Sequence, residues 1–373
     1  MPNSNQLHNF TLRRFPLQEA DSFLAWNASD EYIIKEINSR NVNYKSVLLI
    51  EDEFGAIGTS LKADKIYFVN DSILSQKGIK ANFELNHKKL DNLNFLSPYA
   101  SFPTDIDLII MKLPKINRYT EFLLAKLNFY YDENIDFIAG SMVKYLNNTI
   151  YELFQTYLTP FNYSLSWKKA KILTGKLSNK KETHEFVTII NEFELTLINY
   201  PNLFSAQKLD LGTRFFLENY PKLILPKTID NIIDVGSANG ILGLKLLAYA
   251  PKTQLWLTDI TYSAYESAKA TITQNNFNPD QIHLVLDNSV DAFQPDFADL
   301  IIINPPFHDN HKVSINTALS IFNDCHKVLK KDGMIVVVAN KHLGYHKHLT
   351  QIFGNVAIIA ENTKFVIISA HKL

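Results

Sequence analysis

Asn304-Pro305-Pro306-Phe307 closes an apolar run, Asp299-Leu-Ile-Ile-Ile303, and brings together an amide, a rigid carbonyl and an aromatic ring. Proline cannot continue a sheet ladder, so the run reads as a strand that stops and turns at this point. Open α/β sheets bind ligands at the carboxyl ends of their strands. The Asn304 amide oxygen and the Pro305 carbonyl can each accept a hydrogen bond from one planar NH2 group. Pro306 stiffens the turn, and Phe307 can stack on a flat substrate. These four residues form a candidate catalytic set suited to an aromatic amine. His308 and His311 follow, and read as structural or substrate-positioning rather than as bases.

A second constellation, Asp234-Val-Gly-Ser-Ala-Asn-Gly240, sits where an apolar strand gives way to helical spacing. Gly236 allows a sharp turn and close approach to a ligand, and Gly240 opens the following helix. A glycine loop alone serves a dinucleotide or S-adenosylmethionine equally well. The accompanying residues favour S-adenosylmethionine. Asp259, followed by Ile260, ends the next strand, where a carboxylate can accept ribose hydroxyls. Asp287 and Asn288 end the third, placed to meet an adenine edge. Asp234 would orient the loop or the cofactor's charged amino-acid end, beside Ala238 at the middle of the loop. Upstream, Phe204 could cover the cofactor, and Asp210, Gly212 and Thr213 could shape its methionine end. A nicotinamide enzyme has no need of Asn-Pro-Pro-Phe after the fourth strand.

The elements that must hold these residues alternate. Strands are expected at 232–235, 254–258, 282–286, 300–303 and 334–339, separated by helical stretches that include 313–329, with a turn at Lys331-Asp332-Gly333. Two closing strands, 356–361 and 365–370, are joined by so short a loop that they must be antiparallel. Such alternation predicts an α/β fold with a doubly wound, Rossmann-like sheet. The N-terminal half repeats the pattern: Asp107-Leu-Ile-Ile-Met-Lys-Leu-Pro114 echoes Asp299 to Pro306, and Asp71 follows its strand much as Asp259 does. Lys112-Leu113-Pro114-Lys115 stands where Asn304 to Phe307 should be. The chain therefore reads as two tandem copies, 1–175 and 176–373, the first degenerate in its chemistry and the second catalytic.

A length of 373 residues suits two domains, and 46% apolar residues supply ample core. A net charge of −1 announces no nucleic-acid partner, so any basic surface must be local. The candidates are Arg13, Arg14, the basic and aromatic cluster Trp167, Lys168, Lys169 and Lys171, and residues 341–348. The single cysteine, Cys325, fits core packing and a reducing cytoplasm. No zinc-type Cys/His spacing, secretory segment or membrane-length apolar run is present, and a monomer is expected.

FSAQKLDLGTRFF, DVGSANGILGL and NPPFH, in this order, resemble the ribosomal RNA guanine-N(2)-methyltransferases with duplicated domains. The opening LRRFPLQEADSFLAWNASDEYII, the segment SWKKAKIL and the closing VANKHLGYHKHLTQIFGNVAIIAENTKFVII look like the member acting on large-subunit RNA. The resemblance spans nearly the whole chain. It implies an inactive first copy that recognises RNA or supports the second, S-adenosylmethionine as donor, and a guanosine of 23S RNA as acceptor. That family commonly carries Cys-Gly where Ser237-Ala238 stand here, so an added methyl near the cofactor is expected to weaken binding modestly. Asn-Pro-Pro-aromatic suits any planar amine, which leaves small-subunit RNA, a protein glutamine or a DNA adenine as alternative acceptors. A non-catalytic RNA-binding module is the alternative from another class.

Overall fold

The computed structural model describes residues 6–16, 23–181, 185–248, 250, 252–305 and 313–373. They divide into two compact units, Met1–Phe186 and Val187–Leu373.

The first unit contains β1 (Tyr44–Ile50), β2 (Ala63–Val69), β3 (Leu93–Leu96), β4 (Leu108–Lys112), β5 (Asp136–Met142), β6 (Leu158–Tyr163) and β7 (Ala170–Leu177). They form one sheet in the order β3-β2-β1-β4-β5-β7-β6. β1 to β5 are parallel, β7 is antiparallel to β5, and β6 is antiparallel to β7. Its helices are α1 (Ala28–Arg40), α2 (Ala56–Ser60), α3 (Ile73–Leu85), α4 (Asn117–Tyr130) and α5 (Asn148–Tyr157). The boundary expected after residue 175 falls inside β7, whose Lys176 and Leu177 are still paired with β5 and β6.

The second unit opens with a hairpin, β8 (Thr188–Glu192) and β9 (Leu195–Asn199), then α6 (Leu211–Asn219). Its sheet contains β10 (Asn231–Val235), β11 (Gln254–Asp259), β12 (Ile282–Leu286), β13 (Ala298–Ile303), β14 (Leu329–Asn340), β15 (Ala357–Glu361) and β16 (Phe365–His371). The order is β12-β11-β10-β13-β14-β16-β15, the first unit's order repeated. Helices α7 (Ile241–Leu247), α8 (Tyr262–Gln274), α9 (Val313–Val328) and α10 (Tyr345–Phe353) complete it. β14 is longer than the expected strand 334–339. Asp332 takes φ 63°, and the backbone of Lys372 bonds both Asp332 and Gly333. The residues expected to turn are thereby held against the C-terminal segment.

The central strands are mostly apolar because both faces of each sheet are covered. Alternate residues serve opposite cores: Ile232, Leu300 and Ile302 on one face, Ile233, Ile301 and Ile303 on the other. In the first unit Leu48 and Ile109 oppose Val47 and Leu108 in the same way.

Strand register makes the two units comparable residue by residue. Val47 to Ile50 pair with Leu108 to Met111, and Ile232 to Val235 pair with Leu300 to Ile303. Lys112 is therefore the counterpart of Asn304, and Glu51 of Gly236. Asp107 and Asp299 do the same work: each carboxylate accepts two backbone N–H groups at the start of the neighbouring strand. Asn70, not Asp71, is the counterpart of Asp259, because Val69 and Thr258 occupy equivalent register positions.

Candidate functional site

Asn304 stands one residue past β13, half-buried, at the carboxyl edge of the sheet. Its Nδ2 donates to Asp210 Oδ2 and to Thr213 Oγ1, both at 3.2 Å. Its Oδ1 is buried and has no hydrogen-bond partner among the described residues. Asp210 is the N-cap of α6, and its Oδ2 also accepts the Thr213 N–H at 2.9 Å. This is ordinary helix capping, so one carboxylate ends a helix and seizes the amide. Gly212 is buried between them: a Cβ there would lie 3.0 Å from Asp210 Oδ2 and 3.4 Å from the Phe365 ring. Pro305 is buried beside Asn304, whereas Pro306, Phe307, His308 and His311 lie outside the described residues.

The glycine loop follows β10. Gly236 and Gly240 have φ 68° and 82°, in the left-handed region that glycine tolerates best. A Cβ at Gly236 would meet nothing within 4 Å, so that position faces open space. Ala238 has φ 51°, a conformation that costs an L-residue about 1 kcal/mol. Its N–H donates to Asp259 Oδ2 at 3.2 Å. Asp234 is buried, and its Oδ2 accepts the Gly243 N–H at 2.8 Å while Oδ1 has no partner among the described residues. Burial pushes its carboxyl up to about 7. Asn239 was not singled out from the sequence, yet its Nδ2 donates to Asn199 Oδ1 at 2.9 Å and ties the loop to β9. Its place inside the glycine loop was the only available signal.

Asp259 ends β11 half-buried, and burial raises its carboxyl above the usual range. Its Oδ1 accepts the N–H and hydroxyl of Thr261 at 3.0 and 2.9 Å. Ala238 donates to Oδ2, and the Ile260 backbone also bonds this carboxylate, so it is held by the loop and by the start of the next helix. Ile260 beside it is half-buried. Asp287 Oδ1 accepts the Asn288 N–H at 2.7 Å, and Asn288 Nδ2 donates to Asp291 Oδ2 at 3.1 Å. Phe204 is half-exposed, in the segment leading to α6. The second unit thus assembles Asn304, Asp210 and Thr213 in direct contact, and Asp234, Ala238 and Asp259 around one loop.

The same edge of the first unit is closed. Lys112 Nζ lies 3.0 Å from Asp30 Oδ1, and Asp30 is wholly buried at the position matching Thr213. The carboxylates of Asp30 and Asp52 raise the Lys112 ammonium despite its burial. Glu51 keeps the left-handed φ of its counterpart, at 59°, but carries a side chain. That side chain accepts from Tyr119 Oη at 2.8 Å and from the Asp71 N–H at 3.2 Å. Burial and the nearby Asp71 push its carboxyl up to about 7. Asp52 Oδ2 takes the N–H of Gly58, as Asp234 takes that of Gly243.

The expected basic cluster lies at the tip between β6 and β7. Lys168 and Lys169 form a two-residue turn with φ 48° and 61°, closed by the Trp167–Ala170 bridge. Trp167 packs against Tyr32, and Lys168 pairs with Glu31 at 2.7 Å, so both are engaged with α1. Lys169, Lys171 and Lys144 have no carboxylate partner among the described residues. Lys171 sits 4.9 Å over the Tyr163 ring and Lys144 4.7 Å over Tyr145. Lys341 instead pairs with Glu361 at 3.0 Å.

A family model described as the methyltransferase small domain matches residues 194–369, and one described as the RLMG N-terminal domain matches residues 2–179. A ribosomal RNA large subunit methyltransferase G from Vibrio parahaemolyticus is 34% identical over 372 residues, 98% of this chain and 95% of the relative. The protein of that name from Aliivibrio fischeri is 33% identical over 374 residues, 98% of this chain and 96% of the relative. A solved T. thermophilus 16S rRNA N2 methyltransferase, in complex with AdoMet and guanosine, is similar in fold. Its TM-score is 0.74 at 15% identity, covering 98% of this chain and 95% of that one. With its paired sheets and both family models matched in order, the chain belongs to the ribosomal RNA large subunit methyltransferase G family and is a methyltransferase.

Proposed function

We propose that the second unit methylates the exocyclic N(2) amine of a guanosine in large-subunit ribosomal RNA, with S-adenosylmethionine as donor. The observation that carries this reading is the Asn304 Oδ1, a buried acceptor with no partner among the described residues. The relatives' shared name supports large-subunit RNA as the substrate.

The residues fit the donor. Gly236 leaves open space at the loop, and the free Oδ1 of Asp234 suits a cationic amino-acid end. Asp259, fixed at the end of β11, is the carboxylate for a ribose hydroxyl, and Ile260, Asp287 and Asn288 border the adenine side. Phe204 and Gly212 flank the methionine end, whereas Asp210 and Thr213, expected to shape that end, serve Asn304, which their Oδ2 and Oγ1 atoms bond. When bound, S-adenosylmethionine supplies an electrophilic methyl on a sulfonium.

A guanine amine is a poor nucleophile because its lone pair is delocalised into the ring. Asn304 Oδ1 and the Pro305 carbonyl accept its two hydrogens, drawing the nitrogen towards a tetrahedral shape. Pro306 and Phe307, expected from the sequence to stiffen the turn and to stack on the base, lie outside the described residues. Alignment of amine and methyl then accounts for much of the acceleration. The methylated nitrogen becomes acidic while cationic, so no strong base is required. The guanosine must leave its stack to enter.

The first unit grips RNA outside the site, through Lys144, Lys169 and Lys171 beside Tyr145 and Tyr163; Arg13 and Arg14 are further candidates. No helix among the described residues is long and apolar enough to cross a membrane. The relatives' name as ribosomal RNA methyltransferases supports action in the cytoplasm, and a monomer is proposed.

The test is transfer of labelled methyl to large- and small-subunit RNA, followed by digestion to nucleosides. Label in N(2)-methylguanosine from large-subunit RNA, absent with Asn304→Ala, is expected. Label in small-subunit RNA alone would move the substrate. Label in neither, with the donor still bound, would sink the reading and favour a protein, DNA or non-catalytic role.

A further inference from the structure

We propose that Asp210 is a positioning residue that fixes which end of the Asn304 amide faces the substrate amine; this rests on the amine-methylation reading above. The two ends of an amide are nearly the same shape but opposite in hydrogen bonding. Packing alone therefore does not choose between them. If the amide were reversed, Nδ2 would point at an incoming NH2 group, donor against donor, and the site could not hold it.

Thr213 does not make the choice. Its hydroxyl lies 3.2 Å from Nδ2, but a hydroxyl donates or accepts as required. Asp210 does make it. Its Oδ2 lies 3.2 Å from Nδ2, and a carboxylate accepts only, so a reversed amide would set oxygen against oxygen. Oδ1 is then the atom left buried and without a partner among the described residues. Donation from Nδ2 to an acid also shifts electron density towards Oδ1, which strengthens it as an acceptor. Asp210 cannot drift away, because the same Oδ2 caps α6 through the Thr213 N–H at 2.9 Å.

The first unit supports this assignment independently. The counterparts of Asp210, Thr213 and Asn304 are Asn27, Asp30 and Lys112. Asn27 is again the N-cap, but Asp30 faces Lys112 in a buried ion pair. The positions of 213 and 304 thus meet in both units. Where the amide is replaced by an ammonium, the N-cap acid is replaced by a neutral asparagine.

Two variants of the full chain test the idea. Asp210→Ser keeps a good helix cap but removes the acceptor reaching residue 304. It should lower kcat roughly ten- to a hundredfold, as loss of a supporting partner does elsewhere. S-adenosylmethionine affinity by calorimetry and KM for ribosomal RNA should stay within about twofold, which marks an effect confined to the reacting state. Asp210→Asn still offers one oxygen to both donors and should stay within about threefold of the parent kcat, having lost only the charge assistance. An unchanged kcat in Asp210→Ser would overturn the proposal. So would a kcat loss matched by lost donor affinity, or Asp210→Asn as impaired as Asp210→Ser. A parent chain inactive on RNA, or an active Asn304→Ala, would instead remove the reading on which the proposal stands.

Discussion

The two units share a sheet order and a strand register, yet one edge is open and the other is filled by its own side chains. At Gly236 a side chain would enter open space; at the matching Glu51 one is present, held by Tyr119 and Asp71. At Asn304 a buried amide oxygen is left free; at Lys112 an ammonium is paired with Asp30. Fold and chemistry are therefore separable here. The residues that start strands, such as Asp107 and Asp299, are kept in both units. Those at the ligand edge are not. At these two matched positions the first unit pairs its polar side chains internally, although the amide of Asn70, the counterpart of Asp259, is buried without a partner among the described residues.

The largest effect should come from importing the first unit's residue into the second. Asn304→Lys should abolish methyl transfer, by about a thousandfold or more in kcat, since an acceptor becomes a donor at the reacting amine. Single-turnover transfer to RNA measures it. Gly236→Glu imports the other plug. It places a carboxylate in open space at a left-handed φ and should weaken donor binding by roughly a hundredfold, about 3 kcal/mol, in calorimetry. Retention of full affinity would break the comparison, because Glu51 would then not explain the closed edge.

Glu51→Gln should act on stability alone. Glu51 holds its proton up to about 7 in the fold, whereas in the unfolded chain it ionises in the usual glutamate range. Between those values the folded state binds the extra proton, so stability falls as pH rises through the window and is flat above it. The amide removes that loss while still accepting from Tyr119. The variant should be more stable than the parent at pH 8, by at most about 3 kcal/mol, and show a shallower slope between about pH 4 and 7. Denaturant melts across pH check this, and methyl transfer should be unchanged. The smallest effect is Ala238→Gly, which relieves a left-handed φ and should tighten donor binding a few-fold, about 1 kcal/mol or less.

Much of this was legible in the sequence because it rests on local signals. The apolar runs, the glycine loop and the proline stop after Ile303 mark strand ends directly. The Lys112 substitution was visible because both copies begin their strands with an aspartate. What was not legible depends on register or on distant partners. Asp71 was the obvious acid after its strand, but register gives Asn70 the matching place. Asp210 and Asn304 are far apart in sequence, so their bond exists only once α6 packs onto the sheet at β14 and β16. Trp167 and Lys168 read as a free basic cluster, yet Tyr32 and Glu31 on α1 claim them. The strand extension through residues 329–333 rests on pairing of Leu329 with Ala298 and of Asp332 and Gly333 with Lys372, which no local signal announces.

The claim that one edge of two serves the donor is tested most directly by titrating S-adenosylmethionine into the full chain by calorimetry, beside Gly236→Glu. The account predicts one site per chain, lost or severely weakened in the variant. Two sites in the parent, or one site undisturbed by Gly236→Glu, would contradict it and place the donor in the first unit.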